Sequence, residues 1–284
     1  MSDDQLKTIA ALSAAALAAA LAIPAAAKDV KVDIDGKFYQ LPEGAKNNLD
    51  AVRLLLTAAN SLGMARVATW QNDITENDGS RMCVGCTTDM YEYKGSGLFD
   101  GKQAKTVSIH FDLRTPAARI DVTSADGMRT VTVVKDKLTW DEKTPGVFKA
   151  TSTASPTERM LPVYLFPPAA VVYGAISADK IKASKTDNAN QRTLTVPVAA
   201  LATDLSATID GYGYVVHTEF RYGGKVYSGD YSDYTNDRMD YHVNGPHHIV
   251  QKVDGKTVTD LQLEYHWVNP YMVFPTPKEV VASK

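Results

Sequence analysis

The chain has 284 residues, a formal net charge of −3 and a pI near 6.1. That length can bury a sizeable core in one large domain. Nucleic-acid binding by counterion release needs clustered Lys and Arg, and no basic run is present, so nucleic acid is excluded as a partner.

Residues 1–27 read as a secretory signal. Lys7 precedes an apolar run from Ile9 to Leu21, Pro24 breaks the helix, and Ala25, Ala26 and Ala27 offer small residues for cleavage before Lys28. The run is too short and too Ala-rich for a permanent membrane span, and no Cys follows it to accept a lipid. Asp3 and Asp4 weaken the charge before the run, so an uncleaved N-terminal anchor is the rival reading. The expectation is a periplasmic or secreted envelope protein whose residues 28–284 form a single domain.

Lys28 to Gln40 alternates as a short strand, with Asp35-Gly36 as its turn. Leu49, Val52, Leu55, Leu56, Ala59 and Leu62 follow helical spacing after Asn47-Asn48, and Gly63 is a C-terminal stop, so a helix is predicted over about 49–62. Residues 72–103 are polar and Gly-rich, which predicts a long loop. That loop carries the only cysteines, Cys83 and Cys86. In an oxidising compartment a small-loop disulfide between them is the expectation. Thr87 stands where haem attachment needs His, and no nearby spacing completes a zinc site.

From Thr106 the period changes to two. An Asp126-Gly127 turn of two residues pairs Val122 with Val131 and Ile120 with Val133. Lys137–Trp140 and Val147–Ala150 form another pair around Pro145-Gly146. Pro156, Pro162, Pro167 and Pro168 mark 154–174 as a crossover with a short helix. Strand-like segments return at 193–198, 206–209, 214–221, 226–231, 241–243, 249–253 and 258–268. The prediction is a mainly β chain: a curved antiparallel sheet with one N-terminal helix packed over its concave face.

The C-terminal third adds a resemblance. Gly229-Asp230-Tyr231-Ser232-Asp233-Tyr234, then Pro246 with Ile249-Val250-Gln251-Lys252, Asp254-Gly255 and Val268-Asn269-Pro270, resemble the closing strands of a LolA-like half-barrel. Such half-barrel domains occur in exported bacterial proteins, sometimes fused to a metallo-β-lactamase-fold hydrolase. No His-x-His-x-Asp-His cluster is present, so the hydrolase module is absent. Gly245 stands where the family leads one to expect an aromatic residue, and His247-His248 are not implied by the resemblance. The resemblance implies a concave sheet around an apolar cavity with the helix near 49–62 as its lid. Family members of this shape carry or sense lipids or lipoproteins, and the fold alone does not fix the ligand.

Two constellations carry possible chemistry. A Gly223-Gly224 turn sets Phe220 against Tyr227 and His217 against Asp230. If the chain is an enzyme, His217, Asp230 and Tyr231 are the acid–base candidates, in a cofactor-independent lyase or hydrolase. The bland alternative is a polar pair on a solvent-facing sheet. His242, His247 and His248, with Glu264 and His266 beyond, group a second set of imidazoles. Their spacing fits no closed motif, and no metal or other cofactor is assigned. Nine of the fourteen tyrosines fall after residue 210; Tyr222, Tyr227, Tyr234, Tyr241 and His247 are the ligand-contact candidates. The leading expectation is a periplasmic binding or carrier protein for a small hydrophobic ligand. The enzyme is the alternative, and a module for an envelope partner protein the third reading.

Overall fold

The computed structural model describes residues 29–34, 37–67, 81–84, 90–238, 243–268 and 274–282. The expected signal segment, Cys86, Tyr241 and His242 lie outside the described residues. The disulfide therefore rests on the sequence alone.

A small sheet comes first. Strands β1 (Asp29–Ile34) and β2 (Lys37–Pro42) form a hairpin, and helix α1 (Leu49–Ser61) follows. Strands β3 (Ala65–Val67) and β4 (Arg81–Val84) complete the order β1-β2-β4-β3. Helix α1 starts at Leu49, as its spacing predicts. It ends at a left-handed Gly63 with φ of 71°.

The main sheet then begins inside the predicted loop. Residues 90–99 are strand β5 (Met90–Phe99), paired to β6 (Lys102–Asp112). Its glycines are a packing requirement. A Cβ on Gly95 would stand 2.3 Å from the Gln262 carbonyl oxygen, and one on Gly97 2.2 Å from that of Asp260. The ladder bulges at both places where glycine lets the strands approach. Composition alone made this strand look like a loop.

Strands β7 (Ala117–Ser124), β8 (Arg129–Lys135), β9 (Leu138–Thr144) and β10 (Val147–Thr151) continue the meander. The β7–β8 hairpin is one residue out of the predicted register: Val122 pairs with Thr130, Asp121 with Val131 and Ile120 with Thr132. The turn is longer than two residues because the Asp126 carboxylate accepts from both Ser124 Oγ and Met128 N, drawing the loop around itself. A one-residue slip exchanges faces. Ile120 and Val122 look into the concave side, while Val131 and Val133 pack on the convex side with Ala117, Trp140, Phe274 and Val280.

Two helices occupy the predicted crossover, α2 (Pro156–Leu165) and α3 (Pro167–Ile176), bent by 107°. Ser155 and Glu158 cap α2 reciprocally. Pro167 and Pro168 cannot donate the hydrogen bonds that would continue α2, so a new helix starts at the bend. The remaining strands are β11 (Lys182–Lys185), β12 (Arg192–Val198), β13 (Thr203–Ile209), β14 (Val215–Tyr222), β15 (Lys225–Ser232), β16 (Thr235–Arg238), β17 (Val243–Gly245), β18 (His248–Val253) and β19 (Lys256–Val268). A short helix, α4 (Lys278–Ala282), lies against β9 and β10.

The thirteen strands order as β10-β9-β8-β7-β6-β5-β19-β18-β15-β14-β13-β12-β11, every neighbour antiparallel. Helix α2 touches β7, β8 and β9 and also β14 and β15, far apart in that order. A flat sheet would not let one helix reach both, so the sheet is an open half-barrel. Its inner face is apolar: Tyr93 and Phe111 pack on Phe166 with centroids 4.9 and 5.3 Å away, and Tyr91 stacks behind Phe111 at 5.1 Å. Helix α1 packs against β11, β12 and α3, with Gly174 admitting Leu55.

On the convex side Glu142 is fully buried. It accepts from Arg119, from Trp140 Nε1 at 2.9 Å and from Gly146 N at 2.7 Å. Its removal takes the charge partner at 3.0 Å from a nearly buried guanidinium. Glu142→Ala should therefore lower the unfolding free energy by about 3 kcal/mol in urea titrations. A loss below about 1 kcal/mol would show that Arg119 finds equivalent partners.

Candidate functional site

The helices do not fill the whole concavity. At the end where β5–β6, β7–β8, β14–β15 and β18–β19 turn, a cavity of about 690 Å3 remains. Its strand wall carries Ile120, Val122, Tyr227 and Val258, and α2 supplies Leu161 and Leu165 opposite. The covering element is thus α2; α1, the expected lid, contributes no lining residue. Met128 stands at the mouth with 58% of its surface exposed.

The rim is polar and of both signs: Asp100, Lys102, Lys225, Glu158 and Arg159. Arg159 is engaged with Asp141 at 2.6 Å. The backbone of Lys252 borders the cavity, but its ammonium reaches out to Asp230 at 2.8 Å. Tyr227 stacks on Phe220 at 5.2 Å, and burial with the nearby Asp254 charge pushes its phenol pKa up, keeping it a neutral donor.

Helix α2 is fixed by its own unpaired carbonyls. The Leu165 carbonyl, released by the bend, accepts from Thr218 Oγ1 and Tyr231 OH, each at 2.7 Å. The Pro162 carbonyl accepts from Gln251 Nε2 at 2.9 Å. These donors belong to β14, β15 and β18, so the helix is tied to the floor of the half-barrel.

The residues singled out from sequence are distributed differently. His217 pairs with Asp230 in the expected register, with Nδ1 2.6 Å from Oδ1. Both are on the convex face, opposite in sense to the buried Thr218. Burial raises the Asp230 pKa, but hydrogen bonds from Lys252 and His217 outweigh it and hold the carboxyl below its usual range. Tyr231 points the other way, into the core on Leu165, so the three do not share a pocket. Among the tyrosines named, Tyr227 lines the cavity. Tyr222 packs beside the core, and Tyr234 is half-buried with its hydroxyl donating to the Val215 carbonyl at 2.6 Å. The cavity wall from β7 and α2 is not legible in the sequence: the two-residue turn rule sets β7 one residue out of register, and the proline-marked crossover predicts a short helix without saying which face of the sheet it covers.

His247 lies elsewhere, with Asp237 and His266. Its Nε2 is 2.9 Å from each Asp237 oxygen, and His266 Nδ1 is 2.9 Å from Oδ2. Thr235 Oγ1 and His266 N, both at 2.9 Å, also donate to this carboxylate. His248 instead pairs with Asp260 and Glu264 with Lys94. The imidazole cluster expected from sequence therefore divides, and Asp237, not anticipated, becomes its centre.

No protein-family model matches the chain, and no curated protein matches it. Among solved structures, the Mycobacterium tuberculosis lipoprotein LppX is similar at 11% identity over 62% of this chain and 87% of that one, with a TM-score of 0.24. So small a superposition carries no argument about ligand or ancestry.

Burial raises the Asp237 pKa, but donors from His266, His247 and Thr235 hold it below the ordinary value. A carboxylate depressed in the folded state stabilises in full above its unfolded pKa of about 3.9 and loses that contribution as pH falls through the folded value. In metal-free buffer, the difference in urea midpoint between the protein and Asp237→Asn should shrink as pH falls below about 4. A difference unchanged down to pH 3 would assign the stabilisation to another group.

Proposed function

We propose that this protein is an extracytoplasmic binding or carrier protein for a single small amphiphile, lipid-like or aromatic. The apolar part would occupy the half-barrel cavity and the polar end would lie at its rim. The observation that carries this reading is the cavity itself. Its volume lies within the roughly 300–1,000 Å3 typical of small-molecule sites. Its walls are Ile120, Val122, Leu161, Leu165 and Val258, while charged side chains are confined to the edge. The sequence supports the location through the signal-like residues 1–27. Among the described residues no single helix is long and apolar enough to cross a membrane. The LolA-like resemblance of the C-terminal strands agrees with a lipid-like ligand.

The acid–base alternative has less support. His217 and Asp230 sit on the convex face, and Asp230 is shared with Lys252. A substrate there would have no enclosing wall.

Native mass spectrometry of protein purified without detergent from a periplasm should show a co-purifying mass of lipid or aromatic size. Displacement of a fluorescent fatty acid then measures the site. Each methylene buried is worth about 0.8 kcal/mol, so four more carbons should tighten binding by roughly two hundredfold until the cavity is full. Val122→Trp, which projects into open space, should weaken binding at least tenfold with little change in stability, and His217→Ala should leave it unaltered. Chain-length-independent binding, or full affinity in Val122→Trp, would remove the cavity as the binding site.

A further inference from the structure

At the other end of β18 and β19, four to seven residues (about 13–23 Å) along the strands from the cavity lining, the β16–β17 ribbon folds back over the sheet. It is held there at three points: Tyr234 to the Val215 carbonyl, Asn244 Nδ2 to the Ser61 carbonyl at 2.6 Å, and Asp237 to His266. Gly245 lies directly on the His266 ring, where a Cβ would come within 2.6 Å. The ribbon thus brings a carboxylate from β16, an imidazole from the turn before β18 and an imidazole from β19 to one point. Their ligand atoms all lie within 4.8 Å of one another.

This arrangement differs from the two other His–Asp contacts among the described residues. His217–Asp230, whose carboxylate is shared with Lys252, and His248–Asp260 each bring one imidazole to a carboxylate, with those side chains 36–53% exposed. At Asp237 two imidazoles converge on one carboxylate, and side-chain exposure falls to 4% for His266, 17% for His247 and 20% for Asp237. We propose that Asp237, His247 and His266 form a binding site for a divalent transition-metal ion, with zinc the best fit.

Neutral imidazole and carboxylate are the donors zinc prefers, and three protein ligands leave a fourth position for water. Bonds of about 2.0–2.2 Å in a tetrahedron place ligand atoms about 3.4 Å apart. The present 2.9 Å contacts need to open by about half an ångström, which the short ribbon and the His247 turn can supply. The carboxylate is already oriented from behind by Thr235 Oγ1 and His266 N, as metal-bound carboxylates are. Binding releases any proton held between the imidazoles and the carboxylate, and the ion takes its place. Its structural effect is to clamp the ribbon onto β19. The site is separate from the cavity, and no step of ligand binding depends on it.

The test uses the full chain without a polyhistidine tag. After chelator treatment it is loaded with Zn2+, desalted and assayed for metal content. Co2+ is bound in parallel for its visible d–d spectrum. The expected result is one zinc per chain and the intense absorption of a four-coordinate cobalt site. His247→Gln and Asp237→Asn should each weaken zinc at least tenfold, whereas His248→Gln and His217→Gln should retain it. Zn2+, unlike Mg2+, should raise the melting temperature of the unmodified protein. That shift keeps the test decisive if a ligand variant fails to fold. Absence of stoichiometric zinc in the unmodified chain overturns the proposal whatever the variants do, and so does undiminished affinity in both folded ligand variants.

Discussion

An open sheet of thirteen strands, curled so that one face is concave, must have that face covered. The strands supply the apolar side chains but not the volume that fills the space between them. Here the filling is a helix, an elbow and a second helix. The elbow brings its own difficulty, because prolines at positions 167 and 168 leave carbonyls of α2 without helical partners in the interior. Thr218, Tyr231 and Gln251 on the inner face answer with hydroxyl and amide donors. Everything described at the cavity follows from this attachment. It sets α2 across the half-barrel, seats Phe166 against Tyr93 and Phe111, and leaves the cavity toward the hairpin turns.

The two faces of the sheet are used unequally. The concave face joins most of the core, while the convex face has a smaller apolar patch under Phe274 and Val280 and otherwise carries ion pairs. That patch explains how Val131 and Val133 can face away from the concavity at no cost in exposure. It also gives the buried Glu142 its setting beside Trp140 and Arg119. The same face holds His217, Asp230 and Lys252, whose arrangement is that of a solvated cross-strand cluster.

The ends of the half-barrel are chemically distinct. One is bordered by hairpin turns with charged side chains above an apolar interior. The other is covered by the β16–β17 ribbon, whose attachment includes the hydrogen bonds gathered on Asp237 and the stacking of Tyr234 on Tyr214. A ligand entering from the first end meets hydrocarbon walls, while the second offers imidazole and carboxylate. Binding of an amphiphile and binding of a metal ion are therefore assigned to different places.

Local signals in the sequence were sufficient for the period-two strands, the helix at 49–61 and the β14–β15 hairpin. At that hairpin Gly223 and Gly224 both take positive φ and place His217 against Asp230. Those features depend on residues within a few positions of one another. The remainder depended on partners distant in the chain. Gly95 and Gly97 belong to a strand because β19 comes close enough to require them. The turn at Asp126 gained a residue through side-chain hydrogen bonds that a two-residue rule does not include. Asp237 and His266 are brought together only by the folding of the ribbon. Period and turn chemistry are written along the chain, whereas a cavity and a ligand cluster are properties of the space between strands, which only the tertiary structure decides.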